Sequence, residues 1–267
     1  MEIVSLGSGS KGNAFYLHIN GMDILIDVGL SMKKMNERLL IECGIDLEDI
    51  DIIFITHSHS DHTKSLFPIY RKYHNVKFAF VTPTYESIVM KEKSGIPKSR
   101  RILFEENTRF EGKSFILNNY SLQHDEKNYA FKFTDKSNGE TFLHLPDNGG
   151  YIRKDVKEKW VGCDYYSIES NYDTHLQVLN EDRPLLTARR ALGGYGHMSN
   201  HDAIFLVFKL VRENTKGVLF QHLSEECNSP DLAKKYHERL TEIFGNKMLL
   251  KNLNIVYATQ EGVHRLI

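Results

Sequence analysis

Four side chains that bind metal ions well fall within six residues, in the segment His57-Ser58-His59-Ser60-Asp61-His62. This segment follows the apolar run 52–56, whose short length and β-branched content predict a buried strand. The histidines and the aspartate would then lie on the loop that leaves the strand, where binding and catalytic groups tend to collect. Imidazole suits Zn, Fe and Mn, and a carboxylate adds a harder ligand. Because this set exceeds what one tetrahedral ion needs, the spacing predicts two metal ions, with a chance surface cluster as the alternative.

The composition is that of an ordinary folded protein with a weak overall charge. The 267 residues are 41% apolar and 26% charged, which is enough to bury a substantial core. The formal net charge is −1 at pH 7, and the sequence pI is about 6.9. This weak field argues against a protein that binds nucleic acid through charge alone, but it is compatible with an enzyme that carries a local basic patch.

Cysteine use and hydropathy indicate the compartment. Cys43, Cys163 and Cys227 are widely spaced and odd in number, a pattern typical of free thiols in a reducing environment. No apolar run approaches the ~18 residues of a membrane span, and the start of the chain lacks a charged and then apolar leader. We therefore expect a cytoplasmic protein that does not bind membranes, and the sequence leaves its oligomeric state open.

Strand and helix signals alternate along both halves of the chain, which predicts one α/β domain over residues 1–267. Asn20-Gly21 predicts a hairpin, Ser31 and Gly44 bound a helix, and Ser229-Pro230 begins another. The predicted helices cover about Met32–Cys43, 65–74, 83–93, 151–160, 199–212 and 229–244. The predicted strands cover about 2–6, 14–19, 22–27, 52–56, 77–81, 101–104, three pieces between 113 and 145, 165–168, 217–221 and 254–258.

Further segments stand out beside the histidine motif. They are Gly7-Ser8-Gly9-Ser10-Lys11-Gly12-Asn13, Leu25-Ile26-Asp27-Val28-Gly29-Leu30-Ser31, Glu169-Ser170-Asn171-Tyr172-Asp173, Gly196-His197-Met198-Ser199-Asn200 and His222-Leu223-Ser224. Taken in this order, and nearly end to end, they resemble the YycJ (WalJ) branch of the metallo-β-lactamase superfamily. The resemblance implies a metallo-β-lactamase-like fold, a four-layer αββα sandwich in which two sheets lie face to face and helices cover both outer faces.

The resemblance also implies a set of metal ligands. His57, His59 and His124 would bind the first ion, Asp61, His62 and His222 the second, and Asp147 would bridge the two ions. His124, Asp147 and His222 each follow a plausible strand, but each taken alone is better explained as a hydrogen-bonded structural residue. A water shared by two such ions is acidified to a pKa of about 7 or below, and the resulting hydroxide is the expected nucleophile. Zn or Mn is expected, and Fe is possible.

Other residues are candidates for catalysis and substrate binding. His197 lies just before the start of a predicted helix, where N–H groups favour anions, and could contact a substrate phosphate and donate a proton to the leaving group; a locally bonded structural histidine is the alternative. Asp61 is expected to act in catalysis, and Asp27 is expected to brace the metal loop. Glu169 and Asp173 receive no catalytic role, and Asp173 or Asn171 could instead cap a helix that follows Ser170. The candidate substrate-binding residues are Ser8, Ser10, Asn13, Asn171, Arg189, Arg190, Ser199 and Asn200.

Basic residues gather in two stretches, for which a solvated surface is the simplest explanation. Within them, Arg189 and Arg190 come shortly before His197 and are the pair expected to contact phosphate. The two stretches comprise Lys91, Lys93, Lys98, Arg100 and Arg101, and then Arg183, Arg189, Arg190 and Arg212.

The resemblance implies a dinuclear-metal hydrolase, most simply a phosphodiesterase or nuclease that acts as an exonuclease on DNA from its 5′ end. A small phosphodiester such as a cyclic nucleotide is the alternative substrate, and an ester, thioester or lactone on the same metal core is a third. A metal-stabilised interaction module without turnover also stays open. Phosphate substrates require cations or N–H donors near the metals, whereas acyl substrates require an apolar pocket.

Overall fold

Two β-sheets lie face to face in the interior of this protein. The structure is a computed structural model that describes residues 1–150, 152, 154–181 and 184–267, apart from the side chains of residues 185–187, 190 and 247. The described strands are β1 (Glu2–Gly7), β2 (Ala14–Ile19), β3 (Met22–Ile26), β4 (Ile52–Ile55), β5 (Lys77–Val81), β6 (Arg101–Phe104), β7 (Arg109–Glu111), β8 (Phe115–Ser121), β9 (Tyr129–Asp135), β10 (Thr141–Leu145), β11 (Tyr165–Glu169), β12 (Gly217–Gln221), β13 (Asn254–Tyr257) and β14 (His264–Arg265).

Helices connect the strands and cover the outer faces of the sheets. They are α1 (Met32–Cys43), α2 (Ser60–Thr63), α3 (Leu66–Lys72), α4 (Thr82–Glu92), α5 (Lys154–Trp160), α6 (Thr174–Leu179), α7 (Leu185–Leu192), α8 (Asn200–Leu210), α9 (Pro230–Ile243) and α10 (Lys247–Leu250). Among the described residues, no helix is both long and apolar enough to cross a membrane.

Strand order brings the carboxyl ends of several strands to one edge of the sandwich. The first sheet has the order β14-β1-β2-β3-β4-β5-β6, and the second has the order β13-β12-β11-β10-β9-β8-β7. Strands β3 to β6 run parallel in the first sheet, and β10 to β13 run parallel in the second. The loops that leave parallel strands therefore gather at this edge, where open α/β sheets bind their ligands.

Three apolar layers hold the sandwich together. Between the sheets, Phe54 on β4 packs with its ring centroid 5.7 Å from Phe131 and 5.4 Å from Phe133, both on β9. On the outer face of the first sheet, Met35 of α1 belongs to a buried cluster with the strand residues. On the outer face of the second sheet, Trp160 of α5 is fully buried. These layers confirm the predicted four-layer αββα architecture.

The predicted helix boundaries have clear physical causes. The side chain of Ser31 accepts a hydrogen bond from the Lys34 N–H at the start of α1, and Gly44 ends that helix in the left-handed region with φ 72°. Ser229 caps α9 in the same way by accepting from Leu232 N–H. Short polar side chains and glycine thus fix both ends of helices whose apolar faces are buried.

Several elements were not predicted from the sequence. Strand β7 consists of three exposed residues, so it carries no apolar alternation that could reveal it. Helix α7 was not predicted either, whereas α6 begins at a predicted cap, because Asp173 accepts from the N–H groups of His175 and Leu176. The helix predicted over 151–160 begins at Lys154, and residue 151 falls outside the described residues.

His237 gives the fold a pH-dependent stability. It is 3% exposed, with Nε2 3.1 Å from the Asn200 carbonyl and Nδ1 3.1 Å from the Tyr257 hydroxyl. Burial lowers its pKa to about 3, whereas an unfolded histidine has a pKa of about 6.5. Because the folded pKa is depressed, the unfolded chain takes up the proton first. Stability is therefore complete above about pH 6.5 and falls by about 1.4 kcal/mol per pH unit toward pH 3 from this group alone.

We expect the free energy of unfolding of the His237→Gln protein to fall less steeply as the pH is lowered. Urea unfolding of both metal-free proteins at several pH values between about 4 and 6 measures this difference. The slope of the free energy of unfolding against pH should be smaller for His237→Gln than for the unsubstituted protein, by the equivalent of about one proton. His74→Gln is the matched control because His74 is exposed. Equal slopes for the unsubstituted and His237→Gln proteins would show that another group carries this pH dependence.

Candidate metal centre

The loops at the shared edge carry a dense group of histidines and carboxylates. His57 follows β4, His124 follows β8, Asp147 follows β10 and His222 follows β12. They come from both sheets and are separated by as many as 165 positions, yet the structure brings them together. Two sets of possible ligand atoms, within each of which all atoms lie within 4.8 Å of one another, are His57, His59, His124 and Asp147, and Asp61, His62, Asp147 and His222.

The first set surrounds one point. His57 Nε2 lies 3.0 Å from His59 Nδ1, and His124 Nε2 lies 3.3 Å from the same His59 nitrogen. Asp147 Oδ2 completes the set at 3.9 Å from both His57 Nε2 and His124 Nε2. Three imidazole nitrogens and one carboxylate oxygen thus converge, which is the donor set of a tetrahedral Zn site.

The second set shares Asp147 with the first. Asp61 Oδ2 lies 3.5 Å from His62 Nε2 and 3.4 Å from His222 Nε2. Asp147 Oδ1, the other oxygen of the shared carboxylate, lies 3.6 Å from His62 Nε2 and 3.5 Å from His222 Nδ1. The two oxygens of Asp147 therefore face different sets, the arrangement that a carboxylate bridging two ions requires.

The spacing of these atoms fits bound ions better than direct hydrogen bonds. Asp147 is 2% exposed, and its Oδ1 atom has no hydrogen-bond partner among the described residues. Distances of 3.5 to 3.9 Å from Asp147 to the imidazole nitrogens exceed the length of a hydrogen bond. Two ligands held about 2.0–2.1 Å from a tetrahedral ion lie about 3.3 Å apart. A buried, unpartnered oxygen among imidazoles therefore fits metal coordination.

In three histidines the surrounding protein contacts Nδ1 and turns Nε2 toward the other ligand atoms. A ligating imidazole usually bonds through its other nitrogen to a neighbouring oxygen, which fixes its tautomer. The Nδ1 contacts are 3.0 Å from His57 to Thr56 Oγ1, 2.7 Å from His62 to Asp27 Oδ2, and 2.9 Å from His124 to the Gly196 carbonyl oxygen.

Asp27 holds the metal loop through three hydrogen bonds to Thr56 and His62. Its Oδ1 accepts from the Thr56 N–H at 2.8 Å, and its Oδ2 accepts from the Thr56 hydroxyl at 2.8 Å and from His62 Nδ1 at 2.7 Å. The backbone of Asp27 has φ 62°, an uncommon conformation for a non-glycine residue that is found at functional sites. These contacts match the bracing position expected from the sequence.

Gly29 and Asn13 fix the other side of the loop. A Cβ atom at Gly29 would lie 1.6 Å from the carbonyl oxygen of Asp61, so no side chain fits there. That carbonyl accepts from the Asn13 N–H at 2.7 Å, and Asn13 Nδ2 lies 3.3 Å from Asp61 Oδ2 and 3.1 Å from His62 Nε2. Close backbone packing thus explains why glycines and an asparagine occur in the segments that precede the histidine motif.

Asp125 is a site residue that the sequence analysis missed. Its Oδ1 lies 3.3 Å from His59 Nε2, the nitrogen that faces away from the metal ligands, and 3.1 Å from His124 Nε2. A carboxylate on the outer nitrogen of a ligating histidine orients the ring and raises its basicity. Its position next to His124 was the available sequence signal.

Glu169 has a position that the sequence could not assign. It is fully buried, and its Oε1 lies 2.6 Å from His197 Nδ1 and 3.2 Å from His222 Nδ1. Its Oε2 accepts from the N–H groups of Asn148 and Met198. Burial raises the pKa of Glu169, but the charge of His197 and the hydrogen bond from it outweigh burial and hold the pKa below its usual range. Glu169 therefore stays a carboxylate between the two rings.

His222 is held in a strained position by two of the predicted substrate-binding residues. Its backbone has φ 55°. The Ser8 hydroxyl accepts from the His222 N–H at 2.8 Å, and Asn171 Nδ2 donates to the His222 carbonyl at 2.7 Å. Fixing a left-handed histidine at the end of β12 explains why these residues lie beside the site.

The structure places most of the predicted substrate-binding residues inside the protein. Five of the candidates are at most 4% exposed and make hydrogen bonds inside the protein, so they offer no accessible surface to a substrate: Ser8, Asn13, Asn171, Ser199 and Asn200. A sequence pattern marks such residues as close to a site without telling which way they point. Ser10 and Arg189 are exposed, and the side chain of Arg190 lies outside the described residues.

The charge balance of the cluster explains how it would respond to metal. Burial lowers the pKa of His62, but Asp27 and Asp61 outweigh burial and hold that pKa well above its usual range. Burial lowers the pKa of His222 too, yet the charge of Asp147 and hydrogen bonds raise it to about 10. Burial and the charge of His62 hold the pKa of His57 well below its usual range. Protons thus sit on the histidines of the second set.

We expect metal binding at pH 7 to release about two protons per chain, because His62 and His222 must be neutral to act as ligands. A raised pKa keeps the proton in place below that pKa, so apparent affinity should rise as the pH increases from 7 toward 10. Calorimetric titration of Zn in buffers of different ionisation enthalpy measures the release. His222→Gln should release one proton fewer, and a release near zero in the unsubstituted protein would contradict the assignment.

Comparison with known proteins agrees with this geometry. Residues 7–89 match the profile of the metallo-β-lactamase superfamily. The chain is 32% identical over 232 residues to exodeoxyribonuclease WalJ of Streptococcus pneumoniae, a match that covers 85% of this chain and 83% of the relative. It is 29% identical over 231 residues to exodeoxyribonuclease YycJ of Bacillus anthracis, covering 86% and 84% of the two chains.

Solved structures share the fold at low sequence identity. The metallo-β-lactamase fold protein YhfI from Bacillus subtilis superposes with a TM-score of 0.69 at 16% identity, covering 99% of this chain and 100% of that one. The short form of human tRNase Z gives a TM-score of 0.66 at 15% identity, with both chains fully covered. The sequence match and the histidine and aspartate cluster together show that this chain is a metal-dependent hydrolase of the WalJ/YycJ family within the metallo-β-lactamase superfamily.

Proposed function

We propose that the chain is a two-metal phosphodiesterase that degrades DNA from an end. The observation that carries the proposal is the shared carboxylate of Asp147, which faces three histidines through one oxygen and the second ligand set through the other. Two ions that share a carboxylate suit the attacking and leaving oxygens of a phosphoryl group. The relatives named as exodeoxyribonucleases support DNA as the substrate.

The residues of the chain have distinct parts in this proposal. His57, His59 and His124 would hold one ion and Asp61, His62 and His222 the other, with Asp147 between them. When bound, the ions, Zn or Mn with Fe also compatible, would neutralise phosphate charge and acidify a water molecule. Asp61, with its side chain 21% exposed, borders the space open to substrate.

In this proposal His197 would donate a proton to the leaving oxygen. Its Nδ1 is engaged by Glu169 at 2.6 Å, so Nε2 is the nitrogen left for a substrate. The ring stacks on His222, with centroids 5.2 Å apart, and its side chain is 16% exposed. A buried carboxylate behind a partly exposed imidazole is a common arrangement for general acid and base catalysis.

Two wider expectations belong to the same proposal. Residues 1–267 would act as one catalytic domain, since the ligands come from loops of both sheets. The protein would act in the cytoplasm, where the free thiols of Cys43, Cys163 and Cys227 are stable.

A substrate panel tests the proposal. The protein is incubated with Zn or Mn and with end-labelled single-stranded DNA, double-stranded DNA, RNA, a cyclic nucleotide, a thioester and a lactone. We expect stepwise shortening of DNA, and no shortening by the Asp61→Ala protein. Hydrolysis of the thioester or lactone without cleavage of any phosphodiester would overturn the proposal. Cleavage of the cyclic nucleotide alone would show that a small phosphodiester, rather than DNA, is the substrate.

A further inference from the structure

A cleft of about 480 Å³ adjoins the metal centre. It lies where α2 and α3 face the end of α4, and its wall includes His59, a member of the first ligand set. The rest of the wall combines apolar, hydroxyl-bearing and charged residues, and three of its four charged residues are cationic. Its charged residues are Lys64, Arg71, Lys91 and Glu92. The volume is within the usual range for a site that takes a small ligand or part of a larger one.

The positive charge of this cleft is only partly neutralised. Lys91 Nζ lies 2.7 Å from Glu126 Oε1 and 3.0 Å from Ser58 Oγ. Lys64 and Arg71 are exposed, and neither makes an ion pair with any residue that the structure describes. Two cations without an ion-pair partner among the described residues, Lys64 and Arg71, therefore face the cleft together with one carboxylate, that of Glu92. This local positive charge contrasts with the formal net charge of the chain, which is −1. An anion is the ligand that this charge favours.

Other basic residues nearby are already engaged. The Arg100 guanidinium donates to the backbone carbonyls of Tyr70 and Val76, and the Arg101 guanidinium donates to the Ile96 carbonyl and the Tyr85 hydroxyl. These arginines hold the fold together, and of the five residues in that basic stretch Lys91 is the one that lines the cleft.

His59 joins the cleft to the metal centre. Its Nδ1 faces His57 Nε2 at 3.0 Å, and its side chain is 19% exposed. A chain of phosphates with one member at the metals can therefore pass over this ring and place a neighbouring phosphate beside Lys64 and Arg71. The hydroxyl group of Ser60 in the same wall can donate to phosphate oxygens as well, whereas the Ser58 hydroxyl donates to Glu126 Oε2 and the Thr63 hydroxyl donates to the His59 carbonyl.

We propose that this cleft binds the backbone phosphates of the substrate strand next to the scissile phosphate. The inference rests on the proposed function, because the metal centre must act on a nucleic acid for a neighbouring phosphate to exist. Phosphate contacts fix the position of a strand without reading its sequence. The cleft would accordingly raise affinity for polymers over small diesters, whatever bases they carry.

The test compares a polymer with a substrate too small to reach the cleft. In the Arg71→Glu and Lys64→Glu proteins, the ratio of kcat/KM for a single-stranded oligodeoxynucleotide to kcat/KM for bis-p-nitrophenyl phosphate should fall about tenfold or more. Arg239→Glu is the matched control because Arg239 is exposed on α9. It should leave this ratio unchanged, and thermal melting of every variant reports whether it folds.

Salt dependence provides a readout that requires no turnover. Fluorescence anisotropy measures binding of the same oligonucleotide to metal-free protein at several salt concentrations. The slope of log affinity against log salt should become shallower by about one in Arg71→Ala, because one phosphate contact is lost. Arg239→Ala should keep the original slope.

The outcomes separate this inference from the proposed function. If the unsubstituted protein hydrolyses bis-p-nitrophenyl phosphate but the cleft variants keep both the polymer ratio and the salt slope, the cleft assignment is wrong and the metal centre stands. If the metal-loaded protein cleaves neither the small diester nor DNA, the proposed function fails, and the cleft assignment fails with it.

Discussion

The Asp147→Ala protein is expected to lose metal-dependent hydrolysis by about 10³-fold or more in kcat. The substitution removes both oxygens that face the two ligand sets, at 3.5 to 3.9 Å from their imidazole nitrogens. It also removes the carboxylate charge that raises the pKa of His222. The remaining residues would provide no shared anion between two ions, so we expect the metal content to fall below two ions per chain.

Elemental analysis after dialysis, combined with steady-state kinetics, measures both effects of Asp147→Ala. Asp164→Ala is the control. Asp164 lies just before β11, at the end of this strand that is far from the metal centre. Its side chain accepts a hydrogen bond from the Thr141 N–H and forms an ion pair with Lys216. It should keep metal content and kcat. An Asp147→Ala protein that still carries two tightly bound ions would show that this carboxylate does not bridge.

His197→Gln should lower kcat on DNA by about 10² to 10⁴ while metal content is kept. The imidazole would no longer donate a proton to the leaving alkoxide. A p-nitrophenolate leaves without protonation, so the rate on bis-p-nitrophenyl phosphate should fall much less. This difference between substrates separates proton donation from loss of structure.

Glu169→Gln tests the group behind His197. We expect a smaller loss in kcat than for His197→Gln, because the ring remains while the carboxylate that orients it at 2.6 Å is gone. The loss should again be larger on DNA than on bis-p-nitrophenyl phosphate. An equal loss on both substrates, accompanied by loss of metal, would assign Glu169 to the support of His222 instead, which it contacts at 3.2 Å.

Many local features could be predicted from the sequence because their causes are local. Helix α1 begins after Ser31 and ends before Gly44, at the positions that capping chemistry predicts. The Asn20-Gly21 turn joins β2 to β3, as its sequence predicts. The short exposed strand β7 could not be found in this way. Its three residues show no apolar alternation, and pairing with β8 determines its structure.

The sequence by itself determined the chemistry of the site. The histidine motif, Asp147 and His222 are metal-binding residue types at strand ends, and their family resemblance could be recognised from residue order alone. Local sequence also determined where most strands and helices begin and end. Both follow from the residue types present and from spacings of a few positions.

Only the tertiary structure decided which of these residues meet and which way each one faces. Asp147 lies between two ligand sets because β4, β10 and β12 end at one edge of the sandwich. Glu169 pairs with His197, and Asn171 points inward to His222, because the inward or outward direction of a side chain depends on packing between the sheets. These contacts span many positions along the chain, so strand order and burial determine them rather than sequence spacing.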